Sequence, residues 1–150
     1  MSINVYVHRL IHLVMKRANN LLQLAMIGFD KGLYDESCFL SLCSARLVLR
    51  VLGLIYQGRI INSNSIRHLL SVIAKESNGG LREVITRFVK EHRKELKMFE
   101  VTDKELILSL ITKSRGDADL CINIAQDILN IAQNIISAYD RSSDLQQSIH

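Results

Sequence analysis

Two arginines one helical turn apart, Arg46 and Arg50, are the residues whose types and spacing point most directly to chemistry. They are the only charged residues in the apolar stretch 37–58. A guanidinium can form a bidentate contact with a phosphate, and two guanidiniums one turn apart can share one. The alternative is an exposed edge, where the aliphatic stems cover the core and the heads pair with Asp35 or Glu36. Spacing alone slightly favours the exposed edge.

Two further positions are candidates for binding an anion. Arg115 precedes Gly116 in the segment KSRGD, just before a predicted helix whose first backbone N–H groups face outward. An interhelix turn with a solvated arginine explains this segment too, and it is favoured because no partner residue is evident. His68 lies near the start of another predicted helix, in SIRHLLSVI.

Arg87 and His92 have the residue types of a metal-independent ribonuclease, in which the histidine moves a proton and the arginine holds the phosphate. On a regular helix, however, two positions five apart point about 140° away from each other. His92 also falls on the apolar face of its predicted helix. The pattern therefore favours a core histidine, unless the helix is broken there.

His8 and His12 are one turn apart on the first predicted helix, a geometry that could hold zinc. No glutamate or third ligand accompanies them in the sequence, which favours two solvent-facing histidines. We therefore expect no metal and no cofactor.

The three cysteines form no metal-binding pattern. Cys38 and Cys43 are five positions apart on a predicted helix, so they point in different directions and cannot readily form a bridge. We expect all three cysteines, including Cys121, to be reduced and mostly buried in an intracellular protein.

The elements that position these residues are predicted to be helices. Apolar residues alternate at spacings of three and four, typical of helices with one buried face, and Gly32 is placed to end the first in a left-handed cap. Thr102 and Glu105 form a capping-box pattern before a short apolar segment, 106–112. The longer predicted helices cover residues 3–31, 34–57, 65–76, 81–99 and about 117–139, the last opening at Asp117 or Asp119.

Composition supports one helical domain. The 150-residue chain has no proline and is 48% hydrophobic, so its core can form without disulfides or metal. A net charge of +4 is only a mild bias towards polyanions. No charge-free apolar run approaches the roughly 18 residues of a membrane span. There is no secretory signal, Gly-rich phosphate loop or nucleophile elbow. We expect one domain over residues 1–140 and a frayed polar tail over 141–150.

The order of these pieces resembles the HEPN family (higher eukaryotes and prokaryotes nucleotide-binding). The resemblance covers residues 11 to 138. Two positions depart from the family pattern: Arg46 stands where a glutamate is usual, and no tyrosine follows Arg115. The matching motifs, in chain order, are Ala18–Leu22 with Ala25 and Gly32–Asp35, then Ala45–Leu52, Ile66–Ile73, and Ser114–Ala118 with Ala125 and Ile128–Leu129.

The resemblance implies an up-and-down helical bundle, commonly dimeric. Family members are often encoded beside a small nucleotidyltransferase and act in toxin–antitoxin or defence systems. Some are ribonucleases with an Arg and a His separated by four to six residues, and others are proposed only to bind nucleotides. The only such motif with four intervening residues here is Arg87–His92.

We therefore expect an all-α bundle of about five or six helices, cytoplasmic and homodimeric through an apolar helix face. The leading hypothesis is nucleotide or RNA binding. The first alternative is a metal-independent ribonuclease using Arg87 and His92, and the second is a helical interaction module without a ligand. The expected anion contacts are Arg46, Arg50, His68 and Arg115.

Overall fold

The computed structural model describes residues 3–97, 99 and 113–149, with side chains for 5–97, 99 and 113–142. All regular structure in these ranges is α-helical, which confirms the predicted fold class. The segment 106–112 and the Thr102–Glu105 pattern lie outside the described residues. The helices are α1 (Ile3–Asp30), α2 (Tyr34–Val51), α3 (Gly53–Tyr56), α4 (Ile66–Glu76), α5 (Gly80–Glu91), α6 (Arg93–Lys97) and α7 (Arg115–Ile149).

Helix α2 lies at the centre of the bundle. It packs against α1, α4 and α7, while α5 pairs with α4 and α6 contacts α7. The stretch Tyr34–Tyr56 contains an 18-residue window with a mean hydropathy of 1.9 and is long enough to cross a membrane. Its enclosure by other helices accounts for this apolar character. The predicted apolar face of α2 is confirmed: it is buried at Cys38, Leu42, Ala45, Leu49 and Leu52.

A row of small residues joins α1 to α2. Ser37 and Ser44 are fully buried, and their hydroxyls donate hydrogen bonds across the interface to the carbonyls of Ala25 and Ala18, at 2.8 and 2.6 Å. Ser41 is also buried and donates to the carbonyl of Ser37 within α2. Because each hydroxyl has an acceptor, burying these serines leaves no unpaired polar group, and their small size lets the two helices approach closely.

The helix ends follow the glycines and caps in the sequence. Gly32 has a φ of 79°, which confirms the predicted left-handed cap of α1. Helix α7 begins at Arg115, before the predicted Asp117 or Asp119, because Ser114 and Asp117 cap each other reciprocally. The hydrogen bond from the Ser114 backbone N–H lowers the pKa of Asp117. Residues 141–149, expected to fray, continue the helix.

The predicted helix over residues 81–99 is interrupted. Helix α5 ends at Glu91, His92 has φ −114° and ψ 29°, and α6 starts at Arg93. The α4–α5 turn is held by Arg82, whose guanidinium donates to the carbonyls of Ala74, Lys75 and Ser77 at the end of α4.

The expectation of three reduced cysteines is wrong for two of them. Cys38 of α2 and Cys121 of α7 form a disulfide, with their Cα atoms 5.2 Å apart, and Cys43 is a free thiol. The partners are separated by 83 positions in sequence, so only the packing of α2 against α7 brings them together. Burial raises the pKa of the Cys43 thiol, opposed by the positive charge of Arg46.

Reducing this disulfide is expected to destabilise the protein. Opening a loop of this length removes up to about 4 kcal/mol of stability, or on the order of 10 °C in melting temperature for a chain of this size. Thermal unfolding with and without dithiothreitol measures the effect. The double variant Cys38→Ala/Cys121→Ala should no longer respond to the reductant, whereas Cys43→Ala should respond like the parent protein. An unchanged melting temperature in the parent protein would contradict the prediction.

Gly53, at the start of α3, is packed too closely for a side chain. A Cβ there would meet the Arg59 carbonyl and approach Ile61 Cγ1 to 2.6 Å and Ile61 N to 3.0 Å. We expect Gly53→Ala to destabilise the protein by roughly 1 to 3 kcal/mol, because the backbone of the following loop must move. Gly116→Ala is the control, since a Cβ there meets only Ser114 Oγ at 3.7 Å. Equal urea midpoints for the two variants would be inconsistent with this close packing.

Candidate functional site

The loop between α3 and α4 is tied to α2 by Arg50. The Arg50 side chain donates through Nε to the Ile61 carbonyl at 3.2 Å, and the Ile61 N–H donates to the Arg50 carbonyl at 3.1 Å. Gly58, with φ 69°, reverses the chain ahead of this contact. Arg50 is therefore half-buried, with its Nε directed to the loop backbone, and its first role is to position residues 59–62.

A cavity of about 270 Å³ lies between this loop and α4. The loop provides Arg59 and two side-chain amides, and α4 provides His68. Ser65 fixes the start of α4 by accepting a hydrogen bond from the His68 backbone N–H at 3.1 Å. The lining combines a guanidinium, an imidazole and hydrogen-bonding amides with apolar walls, and it consists of Gln57, Arg59, Ile60, Ile61, Asn62, His68 and Val72.

Arg46 lies one turn before Arg50 on the same half-exposed edge of α2. Its Nε atom is buried and has no hydrogen-bond partner among the described residues. An unpaired buried donor costs roughly 1 to 3 kcal/mol, so such an atom is commonly satisfied by water or a bound group. Among the predicted residues, Arg46 is thus the one with unused hydrogen-bonding capacity in a buried position.

Arg115 lies at the other end of α2. Asp35 Oδ1, in the first turn of α2, accepts a hydrogen bond from the Lys113 backbone N–H at 3.0 Å. Arg115 thus lies near the Asp35 end of α2, and the fifteen-residue rise from Asp35 to Arg50 is about 22 Å. The Arg115 guanidinium carbon lies 5.4 Å from the centre of the Phe29 ring. The structure brings Arg50 and His68 to the same loop but does not bring Arg115 to them.

Arg87 and His92 of the ribonuclease alternative have different surroundings. Arg87 is exposed and lines an open cleft on α5 with Arg82 and Lys90. His92 is half-buried, is absent from that lining, and packs on Phe88 with ring centres 4.7 Å apart. The helix is broken at His92, yet its ring remains on the apolar side, as expected for a core histidine.

Arg59 was not among the predicted site residues, yet it lines the cavity together with His68 and supplies a cation there. A usable signal existed in the order Gly58-Arg59, because a cation directly after a turn glycine often lies on the surface. The two amide residues, Gln57 and Asn62, had no comparable signal. Their proximity depends on the path of the loop.

The fold is a helical bundle, and the cavity between the 57–62 loop and α4 carries one arginine and one histidine. The sequence of residues 11–135 matches the family model of the HEPN domain. The chain belongs to the HEPN domain family. Comparison with the curated proteins and with the solved structures found no match.

Proposed function

We propose that this HEPN-domain protein binds a nucleotide or RNA through its phosphates, without cleaving it, at the cavity between the 57–62 loop and α4. The observation that carries this proposal is the placement of Arg59 and His68 on one cavity. Arg59 supplies a fixed positive charge and a planar set of donors suited to phosphate oxygens. The imidazole of His68 adds a donor, and a second charge when it is protonated.

The remaining wall suits the rest of a nucleotide. Gln57 and Asn62 offer both donors and acceptors to a base or ribose, and Val72 and Ile60 offer apolar contact. The volume is close to the lower limit of small-molecule sites, so it suits one nucleotide better than a dinucleotide. Arg50 supports the site by holding the loop, and Arg46 provides an unpaired donor on the same edge of α2.

A longer RNA would reach a second basic position. Arg115 lies near the Asp35 end of α2, and the rise of about 22 Å from there to Arg50 corresponds to roughly six to seven nucleotides of a helical strand. Arg115 is exposed beside Phe29 at the capped start of α7. We therefore expect Arg115 to contribute to RNA binding and to have no effect on a mononucleotide.

Binding is tested with a fluorescent ATP analogue and a labelled ten-nucleotide single-stranded RNA. Arg59→Ala and His68→Ala are each expected to weaken both ligands by about tenfold, because each removes one phosphate contact of about 1 to 2 kcal/mol. Arg115→Ala should weaken the RNA alone. Lys75→Ala is the matched control, since it removes an exposed cation from the opposite end of α4.

The same mixtures test the alternatives. RNA recovered after incubation without metal is expected to be intact. Cleavage that His92→Ala abolishes would instead support the ribonuclease with Arg87 and His92. Equal affinity of the parent protein and both cavity variants would remove the proposed site, and no binding of either ligand would favour an interaction module.

Pairing of two copies is proposed through the outer face of α1. The apolar faces of α2 and α7 are largely buried within the chain and cannot meet a second copy. An apolar stripe on α1, by contrast, is exposed. The stripe has helical spacing and is interrupted at its centre by the exposed Arg17 and Asn20. Its apolar members are Tyr6, Leu10, Leu13, Leu24 and Ile27. A second copy of the chain is the expected partner, because two identical stripes can cover each other about a two-fold axis.

Leu13→Glu is expected to convert the dimer into a monomer, because it places a negative charge on the apolar part of the stripe formed by Tyr6, Leu10 and Leu13. The side chain is 51% exposed, so the fold of the single chain should tolerate the change. Met26→Glu is the control, since Met26 is 45% exposed and lies on another side of α1. Sedimentation at micromolar concentration measures the assembly. A monomeric parent protein would refute the pairing.

A cytoplasmic setting and a nucleotidyltransferase partner complete the proposal, since nucleotides and RNA are the ligands in question. The neighbouring open reading frame tests the partner, and a small nucleotidyltransferase gene there would support a toxin–antitoxin or defence role.

A further inference from the structure

Three side chains with metal-binding atoms meet where the start of α1 faces the C-terminal part of α7. Asp140 of α7 places Oδ1 2.6 Å from His8 Nε2 and Oδ2 2.9 Å from His12 Nε2. The two imidazoles are one turn apart on α1, with ring centres 4.7 Å apart and planes tilted by 47°. The third ligand that the sequence lacks next to this histidine pair thus comes from a residue 128 positions away.

The distances between the three ligand atoms bracket the spacing of a tetrahedral metal site. Bonds of about 2.0 to 2.1 Å to zinc place neighbouring ligand atoms roughly 3.3 Å apart. The ligand atoms of His8, His12 and Asp140 all lie within 4.8 Å of one another. An ion could replace the direct contacts if rotations of the three side chains open the 2.6 and 2.9 Å contacts by roughly half an ångström and bring the more distant ligand atoms closer together.

We propose that His8 Nε2, His12 Nε2 and an Asp140 carboxylate oxygen bind a divalent transition-metal ion of the zinc class. Two imidazoles and one carboxylate suit zinc, whereas magnesium and calcium prefer oxygen ligands. The side chains of His8, His12 and Asp140 are 41%, 45% and 28% exposed, so an ion can enter and its fourth position faces solvent. The ion would clamp α1 to α7.

This site is separate from the proposed nucleotide cavity and from the α1 stripe. The cavity is formed by the 57–62 loop and α4, neither of which provides a ligand. On α1, the histidines lie on the flank between the buried face and the outer stripe, by helical periodicity. A metal at this position would act on the stability of the bundle and not on nucleotide binding.

Zinc titration of the full chain, purified without a histidine tag and treated with chelator, tests the site. The expected result is one zinc per chain in equilibrium dialysis and a melting temperature that rises with zinc concentration, because the metal binds the folded state. Magnesium at the same concentrations should produce no shift. Cobalt bound in place of zinc should give the visible absorption bands of a tetrahedral site.

Two variants make the test specific. Asp140→Asn retains the shape and hydrogen-bonding oxygen of the side chain but removes its charge, and His12→Ala removes one nitrogen ligand. Each is expected to weaken zinc binding on the order of 100-fold or more. Asp127→Asn is the control, since Asp127 is an exposed carboxylate of α7 outside the cluster, and it should bind zinc like the parent protein. Zinc binding that is unchanged in Asp140→Asn, or no saturable zinc binding in the parent protein, would overturn the proposal.

Discussion

The burial of α2 is the constraint on which the rest of the structure depends. Its apolar residues lie on several sides, so the helix is stable only if α1, α4 and α7 cover it together. Each neighbour meets a different kind of surface. Small serines face α1, Cys38 faces α7, and Leu49 and Leu52 contribute fully buried side chains to the same core. Only a bundle that encloses α2 buries all of these residues.

This packing explains why the candidate cavity lies at one end of α2. The chain must leave the buried helix, turn, and return as α4, and Gly53 permits the close approach of the loop that makes this possible. Arg50 then fixes the loop through the Ile61 carbonyl. Its charge remains in a half-buried position, because the guanidinium serves as a backbone anchor. The cationic groups that line the cavity are consequently Arg59 and His68, which the loop and α4 present.

The fold could be predicted from sequence because helix periodicity is local. The buried face of α2 and the left-handed cap at Gly32 both follow from neighbours along the chain. The Cys38–Cys121 pair could not be predicted, since 83 residues separate the partners and nothing local marks them. The candidate site was predictable only in part. His68 was found from its place near a helix start, whereas Arg59 depends on a loop path that periodicity does not describe.

The same distinction explains why cations that look equivalent in sequence have different roles. Arg50 and Arg115 are separated by nearly the length of α2, and Arg115 rests on Phe29 beside the capped start of α7. Arg87 lines an open cleft whose lining does not include His92, and His92 packs on Phe88. Cleavage of RNA needs a phosphate contact and a proton donor on the same phosphodiester. The proposed binding requires only contacts distributed along the ligand, which Arg59, His68 and Arg115 can supply from separate positions.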